Sequence, residues 1–186
     1  RIDTRMMLLC NQIQDGWELS SLGVSIEGAF NRLARRPAAL TPPPANMTST
    51  GHVAAHTAVL AGLLRRGAAG PEFAAAFDAA VRDVGHRGPG EAELANPVIA
   101  DDPGLLLAAA ELAATEEAVP AVEPERPPSD PIGRRIVRTR SARETAWDST
   151  VRATHQLRIL LRENGSRMAA ADVIDNADDV CYLTRF

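Results

Sequence analysis

The residues best suited to chemistry lie together in the run Gly85-His86-Arg87-Gly88-Pro89-Gly90-Glu91. An arginine can clamp a carboxylate or a phosphate through two parallel hydrogen bonds. Glu91, four residues after Arg87, can orient that guanidinium or act as a base, and His86 carries an imidazole, a side chain suited to moving a proton. Gly85, Gly88 and Gly90, with Pro89, let backbone come close to a ligand or to another helix. Backbone N–H groups in such turns cradle anions. His86, Arg87 and Glu91 are therefore the candidate catalytic residues, and Gly85, Gly88, Pro89 and Gly90 the candidate substrate contacts. The alternative is a tight interhelical turn pinned by an Arg87–Glu91 pair.

Two other groups could do chemistry. His52 and His56 are four residues apart, which on a helix puts them on one face where they could share a zinc ion. The glutamate of a metalloprotease motif is missing and no third ligand is evident, so no metal is assigned. Arg134, Arg135, Arg138, Arg140 and Arg143 form a basic run followed by Glu144 and Asp148, which reads as a solvated helix face or an anion contact.

Composition narrows the chemistry further. The chain has 186 residues, and all 20 of its basic side chains are arginine. Without a lysine it holds neither a phosphate-binding Walker lysine nor a Schiff base, so it cannot itself be a kinase or ATP-grasp core. The net charge of −4 argues against a dedicated nucleic-acid binder. Two cysteines, Cys10 and Cys181, do not make a disulfide framework. No apolar run has the length of a membrane span, and no signal peptide is visible, so a cytoplasmic location is expected. The first residue is Arg1, which hints at a piece of a longer chain.

The elements that must position these residues read as all-α, an irregular helical bundle with long helices. Alanine and arginine favour helix, and few residues suit strands. Met6, Leu9, Ile13, Trp17, Leu22, Ile26, Phe30 and Leu33 recur near the helical period, predicting a helix over 3–36. Gly16 and Gly23 within it mark a bend or a close helix contact. Pro37 and the prolines at 42–44 stop it. Further helices are expected over 49–66, over 71–84 with Pro71 at its first position, over 103–117, and over 134–171 with a break at Gly165. Residues 118–133 form a Pro-rich loop or linker, and 178–184 a short extended piece.

Two stretches resemble a known family. The first is Pro71-Glu-Phe-Ala-Ala-Ala-Phe-Asp-Ala-Ala-Val-Arg-Asp-Val-Gly-His-Arg-Gly-Pro-Gly-Glu91, followed by Asn96-Pro97 and Asp101-Asp102-Pro103. The second is His155-Gln-Leu-Arg-Ile-Leu-Leu-Arg-Glu163, closing in Asp178-Asp-Val-Cys-Tyr-Leu-Thr184. In this order they are similar to the central region of phosphoenolpyruvate-utilising enzymes of the rifampin phosphotransferase type. The resemblance implies a three-part enzyme. An ATP-grasp domain, holding ATP and Mg, activates a phosphoryl group; a swivelling domain carries it on a histidine; a helical central domain binds the acceptor. Such enzymes turn ATP, water and rifampin into AMP, phosphate and phosphorylated rifampin. The chain would then be the central domain, 1–186, inactive alone and with no cofactor of its own. Its partners would be a small-molecule acceptor, such as a large apolar antibiotic, and the two other domains on the same polypeptide. Val98-Ile99-Ala100 stands where the family commonly has a tryptophan, and Cys181 where it has a phenylalanine.

Two rival readings follow from the same residues. A helical interaction or scaffold module needs no catalytic turn. A phosphohistidine carrier would use His56, because Gly51-His-Val-Ala-Ala-His56-Thr-Ala-Val-Leu-Ala61 resembles the swivelling domain's histidine segment. The order of segments speaks against the carrier, since in the family that domain comes last.

Overall fold

A computed structural model describes residues 2–33, 49–68, 70–115 and 130–183. Among these the chain is all-α, with no strand. Its helices are α1 (Ile2–Leu33), α2 (Ser49–Arg65), α3 (Pro71–Val84), α4 (Gly104–Thr115) and α5 (Pro131–Ala170), and a 3₁₀ turn (Ala177–Tyr182) follows.

Three short helices make the oily core. Leu60 and Leu63 of α2, Ala80 and Val84 of α3, and Leu106 and Ala110 of α4 close around Ile99. Burying a leucine contributes about 2 kcal/mol relative to leaving it in water. Phe73 and Phe77, one turn apart on α3, stack at 5.9 Å on the margin of this core.

The two long helices pair differently. Contacts run from Gln12 with Ser149, through Gly23 with Arg143, to Glu27 with Arg140, so α1 and α5 are antiparallel. The buried positions of α1 are Gly16, Gly23 and Glu27, seven and four residues apart on one face. At Gly16 the absent Cβ is replaced by the Thr150 hydroxyl, so the helices come into close contact. Glu27 is gripped by Arg140 and by Arg143 Nη1 at 3.1 Å. Trp17 meets Trp147 edge-on, with ring centroids 4.8 Å apart. The apolar period of α1 is covered only in part: Met6, Leu9, Ile13 and Phe30 are half-buried, and Trp17 touches Trp147 of α5. Leu22, Ile26 and Leu33 are exposed, as are Leu8 and Leu19.

Several boundaries differ from the sequence expectations. Helix α5 starts at Pro131 rather than at residue 134, because the Asp130 carboxylate accepts from Gly133 N at 2.7 Å and Pro131 occupies the first position. The expected linker is thus shortened at this end, and residues 118–129 lie outside the described residues, as do Pro37, the prolines at 42–44 and Thr184. Helix α4 starts at Gly104, one residue after the expected start, and is described to Thr115; residues 116 and 117 lie outside the described residues. Gly165 does not break α5. It is buried because the carbonyl of Ala177 packs where its side chain would be. The end piece expected to be extended is a 3₁₀ turn, capped reciprocally by Asn176 and Asp179.

The two glycines predict opposite effects. At Gly165 alanine gains about 1 kcal/mol of helix propensity. Overpacking against a backbone carbonyl costs about 1–3 kcal/mol. Gly165→Ala should therefore lower the melting temperature, by roughly 2–4 °C per kcal/mol lost. Gly62→Ala in α2, where no atom lies within 4 Å of the added methyl, should raise it. Thermal unfolding followed by circular dichroism checks both.

Candidate functional site

The segment 85–101 joins α3 to α4 and doubles back on itself. Ile99 N donates to Arg87 O and Ala100 N to Gly85 O, each at 2.8 Å. Gly85 and Gly88 are required by this fold-back, since side chains there would meet Ala100 and Val98. Gly90 takes a positive φ of 65° at the tip, a backbone shape that favours glycine.

Helix α5 holds the segment from one side. Arg158, fully buried, donates from Nε to Leu94 O at 3.0 Å and from Nη2 to the carbonyls of Glu93 and Glu91 at 2.7 and 3.3 Å. Arg162 pairs with Asp101 at 2.5 Å. Burial pushes the Asp101 carboxyl up, but hydrogen bonds from Arg162 and Val98 outweigh it and hold the group below its ordinary value. Trp147 Nε1 donates to Glu91 Oε1 at 3.1 Å, and His86 Nε2 lies 2.9 Å from Asp148 Oδ1. The other oxygen of Asp148 accepts from Arg152 at 2.8 Å.

His86, Arg87 and Glu91 are all buried. Arg87 Nε stands 2.9 Å from Glu91 Oε2, so the pinning pair expected as the alternative is present. Glu91 Oε2 also accepts from Gly88 N at 3.2 Å. The anion in the turn's cradle is thus the protein's own Glu91 carboxylate.

The turn has two sides, and the candidate residues divide between them. Arg87, Gly88, Pro89 and Glu91 wall a cleft of about 410 Å³, otherwise lined by Val53 and Ala54 of α2, Ile99, and Leu105, Leu106 and Ala109 of α4. Gly85 and His86 instead open on a cleft of about 320 Å³ with Val81, Arg82, Ala100, Arg152, His155 and Gln156. Gly90 is exposed at the tip.

The remaining candidates are accounted for by internal contacts. His52 Nδ1 and His56 Nε2 both turn to Asp83 Oδ2, at 3.3 and 2.9 Å. The hydrogen bond from His56, with the charge of both imidazoles, holds the Asp83 carboxyl below its ordinary value against a partial burial that pushes it up. Among the described residues no His, Cys, Asp and Glu cluster could hold a metal ion. In the basic run, Arg140 and Arg143 are not a solvated face, because they grip Glu27 of α1.

Sequence reasoning missed three α5 contacts: Trp147 on Glu91, Asp148 on His86, and Arg158 on the segment's carbonyls. The signal for Arg158 was its position, four residues after Thr154 and seven after Val151, on the buried stripe of α5. His155 opens the second family-like stretch, where the sequence alone assigns it no role. Its Nδ1 is buried with no hydrogen-bond partner among the described residues. Burial, helped by the charge of Arg158, pushes the ring below its ordinary value near 6.5.

Comparisons add relatives but no family. The chain is 43% identical over 117 residues to an uncharacterized protein of Mycobacterium bovis and to two of Mycobacterium tuberculosis. The match covers 61% of this chain and 14% of each relative's length. No family model matches, and no solved structure matches. No described helix is long and apolar enough to cross a membrane.

The state of His155 carries a pH prediction. Its folded value lies below the unfolded one, so as pH falls the unfolded chain takes up the proton first. The group costs nothing well above its ordinary value, and it destabilises the fold as pH drops below about 6.5. Urea unfolding between pH 7.5 and 5 should therefore show a smaller loss of stability in His155→Gln than in the parent.

Proposed function

We propose that this chain is the acceptor-binding helical domain of an ATP-dependent, phosphohistidine-mediated phosphotransferase similar to rifampin phosphotransferase. The observation that supports it most is the apolar cleft whose one polar wall is Arg87 and Glu91. Its volume of about 410 Å³ lies in the range of small-molecule sites. Apolar side chains from α2 and α4 would hold a greasy acceptor. The arginine would meet the phosphoryl oxygens.

Phosphoryl transfer depends mainly on positioning and on stabilising charge. Glu91, fixed by Trp147 and Gly88 N, orients Arg87. Arg87 would stabilise negative charge on the group in flight. His86 is held by Asp148 and opens on the opposite side of the turn, so Glu91 is the nearer base for an acceptor hydroxyl in the apolar cleft. ATP and Mg would sit on a separate domain, because this chain has no lysine for them.

A second reading, a helical interaction module, is favoured by the exposed stripe Leu8, Leu19, Leu22, Ile26 and Leu33 on α1. The two readings part on Arg87. In the intact polypeptide supplied with ATP and Mg, Arg87→Ala should cut acceptor phosphorylation about 100-fold, the loss typical of one charge-stabilising donor. Ala109→Phe, which fills the apolar cleft, should raise the acceptor's KM more than it lowers kcat. Unchanged turnover in both variants, with helicity retained, would favour the interaction module.

A further inference from the structure

We propose that the second cleft, between α3, the 85–101 segment and the middle of α5, is an oxyanion site for a phosphate-class ligand, gripped by Arg82 and Arg152 above His86 and His155. Its lining contains two arginines, two histidines and a glutamine, and no carboxylate. Asp148, bonded to two of the lining residues, is engaged by His86 through one oxygen and by Arg152 through the other. Arg82 has no ion pair among the described residues, and it is exposed at the rim. Arg152 is held through Nε, which presents a preset guanidinium beside the opening.

The His155 ring lines the cleft beside His86, and its Nδ1 has no hydrogen-bond partner among the described residues. Arg82 sits in the last turn of α3, where the helix dipole accommodates a cation without any ligand. The dipole does not explain the convergence of Arg152 and two imidazoles on the same space. A volume of about 320 Å³ admits a phosphate together with the group it is attached to. The site lies on the opposite side of the turn from the apolar cleft and does not rest on the acceptor reading.

The test is an NMR titration of the full chain with inorganic phosphate, at ionic strength held constant with chloride. Saturable shifts of the His155 and His86 ring resonances are expected, with those of His52 unmoved. Arg82→Gln should weaken binding about tenfold, the worth of one charge-assisted hydrogen bond. Arg152→Gln should weaken it similarly, and Arg134→Gln, in a separate basic patch, should leave it unchanged. Absence of saturation at roughly 20 mM phosphate, far weaker than a built site allows, would overturn the proposal. Equal affinity in all three variants would also overturn it, since Arg82 is exposed and its replacement leaves the fold intact.

Discussion

A guanidinium taken wholly out of water fixes the rest of this molecule. Among the described residues Arg158 is the largest fully buried side chain, and its Nε and Nη2 donate to three carbonyls of the segment, those of Glu91, Glu93 and Leu94. Burial disfavours its charge, and Asp101 and Glu91 oppose that effect. A buried charge is tolerated when its hydrogen bonds are made, and removing its partners costs several kcal/mol. The segment 85–101 therefore has one place to lie. Trp147 and Asp148, about three turns earlier on α5, then meet Glu91 and His86.

Two kinds of packing meet at that segment. Helices α2, α3 and α4 share an ordinary oily core. The α1–α5 pair is a seam of glycines and ion pairs with one Trp17–Trp147 contact, and several leucines of α1 remain exposed. The 85–101 segment contributes Ile99 to the core and its carbonyls to α5, and so it joins the two. The turn at its start has an apolar cleft on one side and a basic cleft on the other.

Much of this was legible in the sequence where the signal was local. Pro71 marked the start of α3, and the Gly-rich run marked the turn with its Arg87–Glu91 pair. Tertiary constraints were not legible. The apolar period of α1 suggested a core face, but it is half-buried at Met6, Leu9, Ile13 and Phe30 and exposed at Leu22, Ile26 and Leu33, while glycines at 16 and 23 mark where α5 comes close. Gly165 read as a helix breaker, yet its missing side chain makes room for Ala177. The roles of Trp147, Asp148 and Arg158 depend on a contact 56 to 67 residues away in the chain, which no local pattern encodes.

The claim that Arg158 sets the position of the turn is tested most directly by hydrogen exchange on Arg158→Met, a variant that keeps the length of the side chain and removes its donors. The account predicts that the Ile99 and Ala100 amides, which bond back to Arg87 and Gly85, lose protection by about tenfold or more while the amides of α1 and the first half of α5 keep theirs. Unchanged protection at Ile99 and Ala100, or an equal loss throughout the chain, would contradict it.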